Sequence, residues 1–115
     1  YYTASLTFTT EYPNMPPQMR FKTEMWHPNI YSDGRVCISI LHPPGTDALN
    51  ELETADERWR PILGVESVLV SVVSMLNDPN TESPANIDAG VMFRDNLEEY
   101  NRIVRRLAQR SIDCL

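Results

Sequence analysis

The residue types able to do chemistry gather in one stretch, WHPNIYSDGRVCISIL, where His27, Pro28 and Asn29 precede Cys37 and His42 follows it. Three chemistries use such a set. A cysteine hydrolase pairs its thiol with an imidazole base and an orienting amide, and those types are present. However, His27 runs directly into Pro28 within a turn, whereas a base needs freedom to reach the thiol. A zinc site wants four soft ligands at recognisable spacing, and two His with two Cys but no Cys-x-x-Cys pair make a poor match. The third chemistry is a thioester carrier, in which the cysteine holds an acyl group and passes it to an amine. Against all three stands a plain reading: free cysteine is among the most buried residue types, and Asn29 in a turn can simply bond its own backbone.

Those residues must be held by elements legible on either side. Tyr2, Ala4, Leu6 and Phe8 alternate with polar residues at the period of a half-buried strand. The proline-rich EYPNMPP is a loop, and Met19, Phe21, Thr23 and Met25 predict a second strand ending near Trp26. Asp33-Gly34 marks a turn, and the run from Arg35 to Leu41 is too short and polar to count as a full third strand. Val65, Val68, Leu69, Val72 and Leu76 recur at helical spacing, and Asp78-Pro79-Asn80 stops that helix. NIDAGVMF predicts a short helix. Asp95, with Glu98 three residues on, reads as the cap of a last helix striped by Leu97, Tyr100, Val104 and Leu107. Strands, a long loop, then helices give an α+β fold with an antiparallel sheet flanked by helices.

The 115 residues form one domain, residues 1–115, able to bury roughly 65% of the unfolded chain's surface. Two distant cysteines are no disulfide framework, which suits a reducing compartment, and Cys114 is expected to be an exposed terminal thiol. No apolar stretch is long enough to span a membrane, and no signal-peptide pattern is present. A net charge of −6 argues against binding nucleic acid through its phosphates. The chain opens on Tyr1-Tyr2, inside an apparent strand and without an initiator methionine, so an amino-terminal piece is expected to precede it. Asp47, Glu51, Glu53, Asp56 and Glu57 crowd one polar loop between His42 and Arg60. A structureless stretch of that length is uncommon unless functional or disordered, although a charge cluster is also an ordinary solvated surface.

WHPNIYSDGRVCISIL, with EYPNMPP before it and SMLNDPNTESPAN after it, resembles the ubiquitin-conjugating enzymes over essentially the whole chain. The His-Pro-Asn turn with a cysteine eight residues after the asparagine is that family's hallmark, and Trp59-Arg60-Pro61 and Asp78-Pro79-Asn80 fit its order. The acidic insertion after CISILHPPG is similar to the subgroup associated with ubiquitin chain building and endoplasmic-reticulum degradation. The resemblance implies the family fold, whose first helix and strand would precede Tyr1.

It also implies roles. Cys37 would take ubiquitin from the activating enzyme as a thioester and transfer it, with a RING-type ligase, to lysines of protein substrates. Asn29 would donate its amide either to the oxyanion of aminolysis or to the loop that shapes the site. His27 would be a packed structural imidazole and Pro28 would fix the turn. Ser83 falls where the family carries a serine or aspartate beside the groove, although a turn or cap role is equally open to it, and Asp78 would end its helix. Asn14, Pro16, Pro61 and Ile62 fall on the two loops that meet ligases. Asn14 departs from the pattern, because a bulky apolar residue commonly sits there, whereas Ile62 keeps an apolar contact and Trp59 reads as core. Apart from the resemblance, Asp47, the acid closest in sequence to Cys37, is expected with Glu51 and Glu53 to position the incoming lysine, and His42 to help to hold the loop. No cofactor or metal is implied. A cytoplasmic location is implied, with recruitment to the cytosolic face of the endoplasmic reticulum. Conjugation of another ubiquitin-like modifier, a cysteine hydrolase and an inert ubiquitin-binding variant are the alternatives, and inert variants lack the cysteine that Cys37 supplies.

Overall fold

The computed structural model describes residues 1–46, 48 and 53–114. Strands β1 (Ala4–Thr7) and β2 (Gln18–Phe21) pair antiparallel, with Leu6 opposite Met19 and Ala4 opposite Phe21. Both strands are shorter than the alternation predicts. On β2 the pattern holds, because Met19 and Phe21 are buried while Gln18 and Arg20 face outward. On β1 only Leu6 packs against the core; Tyr2 and Phe8, at 45% and 46% exposure, remain at the surface.

The chain from Trp26 to Leu41 forms turns rather than a strand. Single bridges join Arg20 to Arg35 and Ile30 to Val36, and a 3-10 turn at Ser39–Leu41 follows Cys37. Gly34 makes the reversal possible. Its φ is +96°, and a Cβ there would stand 2.2 Å from the Phe21 carbonyl oxygen, so a side chain has no room. Its carbonyl accepts the Phe21 N–H at 2.8 Å, which fastens the turn to the end of β2.

Helix α1 (Val65–Asn77) lies behind this turn. Val68, Val72 and Met75 form its buried stripe, joining Met19, Phe21, Ile30 and Trp59 in one core. The expected stripe was broader: Val65 and Leu69 are 36% and 44% exposed. Helices α2 (Ile87–Asp95) and α3 (Leu97–Asp113) pack on each other through Phe93 and Tyr100, whose rings meet edge to face at 5.0 Å. Burial pushes the Tyr100 hydroxyl up to about 12. The cap between the two helices is Asn96 rather than Asp95. Its side-chain oxygen accepts the Glu99 N–H at 3.3 Å, while Asp95 completes α2 and pairs with Arg94. Asparagine suits this position because one residue ends one helix and begins the next, and its short polar side chain tolerates the non-helical backbone between them. Among the described residues, no helix is long and apolar enough to cross a membrane.

Candidate active site

The turn after Trp26 is braced from inside. His27 is 3% exposed, its Nδ1 accepts the Asn29 N–H at 2.9 Å, and its Nε2 lies 2.8 Å from the Met75 carbonyl oxygen. With Nε2–H donating and Nδ1 accepting, the imidazole is neutral and ties the turn to the last turn of α1. Burial pushes its pKa below the ordinary histidine value, although the Met75 carbonyl opposes the shift. Both nitrogens are occupied, so His27 acts as a brace. Pro28, fully buried, accepts the Asn86 N–H at 3.0 Å and so joins the turn to the start of α2.

Asn29 is 5% exposed and reaches across to the segment after α1. Its Nδ2 donates to the Asn80 carbonyl at 2.8 Å, and its Oδ1 accepts the Asn80 N–H at 2.8 Å. This reciprocal pair clamps the Asp78-Pro79-Asn80 stretch against the turn. The Asn29 carbonyl accepts the Cys37 N–H at 2.9 Å, so one asparagine fixes both the thiol's backbone and the opposite wall.

Cys37 is half-buried and lines a groove of about 340 Å³ together with Asn29, Asp78, Asn80 and Ser83. Ser83 is exposed there, and Asp78 caps α1 through its own N–H. The imidazole that faces the sulfur is His42, with Nε2 at 3.8 Å. His42 Nδ1 lies 2.7 Å from Glu53 Oε2, which also accepts the Ser39 hydroxyl at 2.7 Å. Glu53 Oε1 faces Arg58 Nε at 3.3 Å. The sequence reading placed Glu53 among acids awaiting a lysine. At 8% exposure and ringed by three donors it is turned inward, so it organises the site instead. Asp47 and Glu51 lie outside the described residues. The partnership of Cys37, His42 and Glu53 is not legible in the sequence, because ten residues separate the last two and no local pattern says where the chain returns.

On another face, Trp59 is fully buried and its Nε1 donates to the Pro13 carbonyl at 2.9 Å. Tyr12 stacks near it at 6.0 Å, which joins the two proline loops into one surface. Asn14, Pro61 and Ile62 are exposed there, Ile62 at 84%. Pro16, expected on the same surface, is buried, so it shapes its loop rather than offering a contact.

A family model described as "Ubiquitin-conjugating enzyme" matches residues 1–108. The chain is 54% identical over 115 residues to "Ubiquitin-conjugating enzyme E2 15" of Schizosaccharomyces pombe, covering all of this chain and 68% of that protein. It is 54% identical over 109 residues to "Ubiquitin-conjugating enzyme E2 G2" of Homo sapiens, covering 95% of this chain and 66% of the relative. To "Ubiquitin-conjugating enzyme E2 7" of Arabidopsis thaliana it is 52% identical over 111 residues, covering 96% and 66%. The chain thus spans about two thirds of the length of these relatives.

Proposed function

The chain belongs to the ubiquitin-conjugating enzyme family, and from that premise we propose that Cys37 receives ubiquitin as a thioester from the activating enzyme and passes it to a lysine amine. The observation that carries the reading is the setting of the thiol. Its backbone is held by the Asn29 carbonyl, and Cys37 lines a groove that also takes in Asp78 and Asn80, the latter clamped by Asn29. A carrier cysteine needs this combination. The sulfur must be reachable by a large acyl donor and then by an amine, yet fixed enough that attack follows one path. The surface formed by Asn14, Pro61 and Ile62 would dock a RING-type ligase, with Ile62 as its apolar contact. The similarity of the acidic insertion to the subgroup associated with endoplasmic-reticulum degradation is what supports work on protein substrates in the cytoplasm, with recruitment to the cytosolic face of the endoplasmic reticulum.

The hydrolase reading keeps one favourable observation, the imidazole near the sulfur. Energy supply separates the two. Full-length protein incubated with activating enzyme, ATP and ubiquitin should give a single adduct that a thiol reductant removes. A hydrolase would form none and would cleave ubiquitin conjugates without ATP.

A further inference from the structure

Cys37, His42 and Glu53 stand in line: sulfur to Nε2 is 3.8 Å, and Nδ1 to Oε2 is 2.7 Å. The far end is firmly held. Glu53 is buried, bonded by Ser39 and faced by Arg58, whose Nε also donates to the Pro43 carbonyl at 2.7 Å. The His42 backbone is fixed too, because its carbonyl accepts the Trp59 N–H at 3.1 Å. A carboxylate can only accept, so Nδ1 of His42 carries the proton and Nε2 turns a lone pair toward the sulfur. The His42 side chain is 32% exposed, which leaves it open to an incoming group as well as to Cys37. A histidine that merely pinned the loop would have no reason to aim its free nitrogen at the reacting atom.

We propose that His42 takes the proton from the amine that attacks the Cys37 thioester, and that buried Glu53 is the positioning residue that fixes its tautomer and ring. The inference rests on Cys37 being the thioester carrier. In the step, the amine nitrogen bonds the thioester carbonyl carbon and the carbon–sulfur bond breaks. Before the attack His42 Nε2 takes the extra proton of the lysine ammonium and later releases it to solvent. The proton that the neutral amine nitrogen still loses passes to the departing Cys37 sulfur, which ends as a thiol. The transient imidazolium is offset by the Glu53 carboxylate 2.7 Å away. A lysine ammonium ordinarily loses its proton near pH ~10.4, so an acceptor beside the sulfur answers a real need.

The test is single-turnover discharge of the purified Cys37–ubiquitin thioester of the full-length protein, to free lysine and in parallel to hydroxylamine, an amine already neutral at assay pH. His42→Gln should load from the activating enzyme as wild type does, then discharge to lysine about 10²-fold more slowly, while its hydroxylamine discharge stays within about twofold. Glu53→Gln should show the same split with a smaller loss. Loading and hydroxylamine discharge report whether each variant is folded, so a damaged fold is separable from a missing proton acceptor. Equal slowing toward both amines, or undiminished discharge to lysine, overturns the proposal. A wild-type protein that forms no Cys37 thioester overturns the underlying reading as well, and that result is visible before any variant is made.

Discussion

Asn29 is where the chemical and the architectural roles of one residue can be pulled apart. An amide beside a thioester invites the role of oxyanion donor, yet both functional atoms of this side chain are engaged by Asn80. Removing them takes away two hydrogen bonds and frees the wall that carries Asp78 and Ser83. Asn29→Ala should therefore lose about 1–2 kcal/mol of stability, read by chemical denaturation. Thioester loading and discharge should slow by comparable factors. A variant of unchanged stability that loads normally but discharges about 10²-fold more slowly would instead make Asn29 an oxyanion donor through its second N–H. The spacing of Asn29 and Cys37 was legible in the sequence because both lie on one short turn. The hydrogen bond between Asn29 and Asn80 was not, since the two are 51 residues apart and meet only once α1 has been laid behind the turn.

Among the elements, the junction between the Trp26–Ile30 turn and α1 holds the site's back wall, and His27 is its bolt. A buried imidazole whose folded pKa lies below its ordinary value of about 6.5 binds a proton more readily once the chain unfolds. Its contribution is therefore complete above about pH 6.5 and is lost as pH falls from there through the lowered folded value. Protonation would also cost Nδ1 its bond from the Asn29 N–H. His27→Gln should be less stable than wild type at pH 7, and its stability should fall less steeply below pH 6.5. One such proton contributes a slope of at most about 1.4 kcal/mol per pH unit. Parallel slopes for the two proteins would show that His27 does not titrate with unfolding. The helices were legible where their register was local: α1 ends at the Asp-Pro-Asn stop, and α2 falls on NIDAGVMF. Their exposed residues were not. Leu69 sits at the flank of the stripe that Val68, Val72 and Met75 centre, and the Met75 end is met by the turn, where the Met75 carbonyl lies against His27. Asp95 is no cap because α2 runs on through it, two residues past NIDAGVMF, and leaves Asn96 to serve both helices.

At the scale of the whole molecule, one core of Met19, Phe21, Ile30, Trp59, Val68, Val72 and Met75 holds a turn-rich segment against a helix. The reactive segment gives Ile30 to that core and rests on it through Val36, Ile38, Ile40 and Leu41, while Cys37 itself stays at its edge. This division explains why an α+β order was readable from apolar periodicity, whereas the array reaching from Cys37 to Glu53 depends on a polar loop that no periodicity describes. It also sets out the most direct test, because every role assigned to Asn29, His42 and Glu53 presumes that the acyl group sits on one atom, the Cys37 sulfur. Lys22 is the only lysine in the chain, and Cys114 the only other cysteine. A Lys22→Arg background therefore removes the one side-chain amine within this sequence that could retain ubiquitin as an amide. In that background, Cys37→Ser charged with activating enzyme, ATP and ubiquitin should give an adduct that survives thiol reductant and is cleaved by mild alkali, as an oxygen ester is. Cys114→Ser should still give the reductant-sensitive adduct of the wild type. A reductant-sensitive adduct persisting in Cys37→Ser, or one lost in Cys114→Ser, would contradict the assignment of Cys37 as the atom that carries ubiquitin.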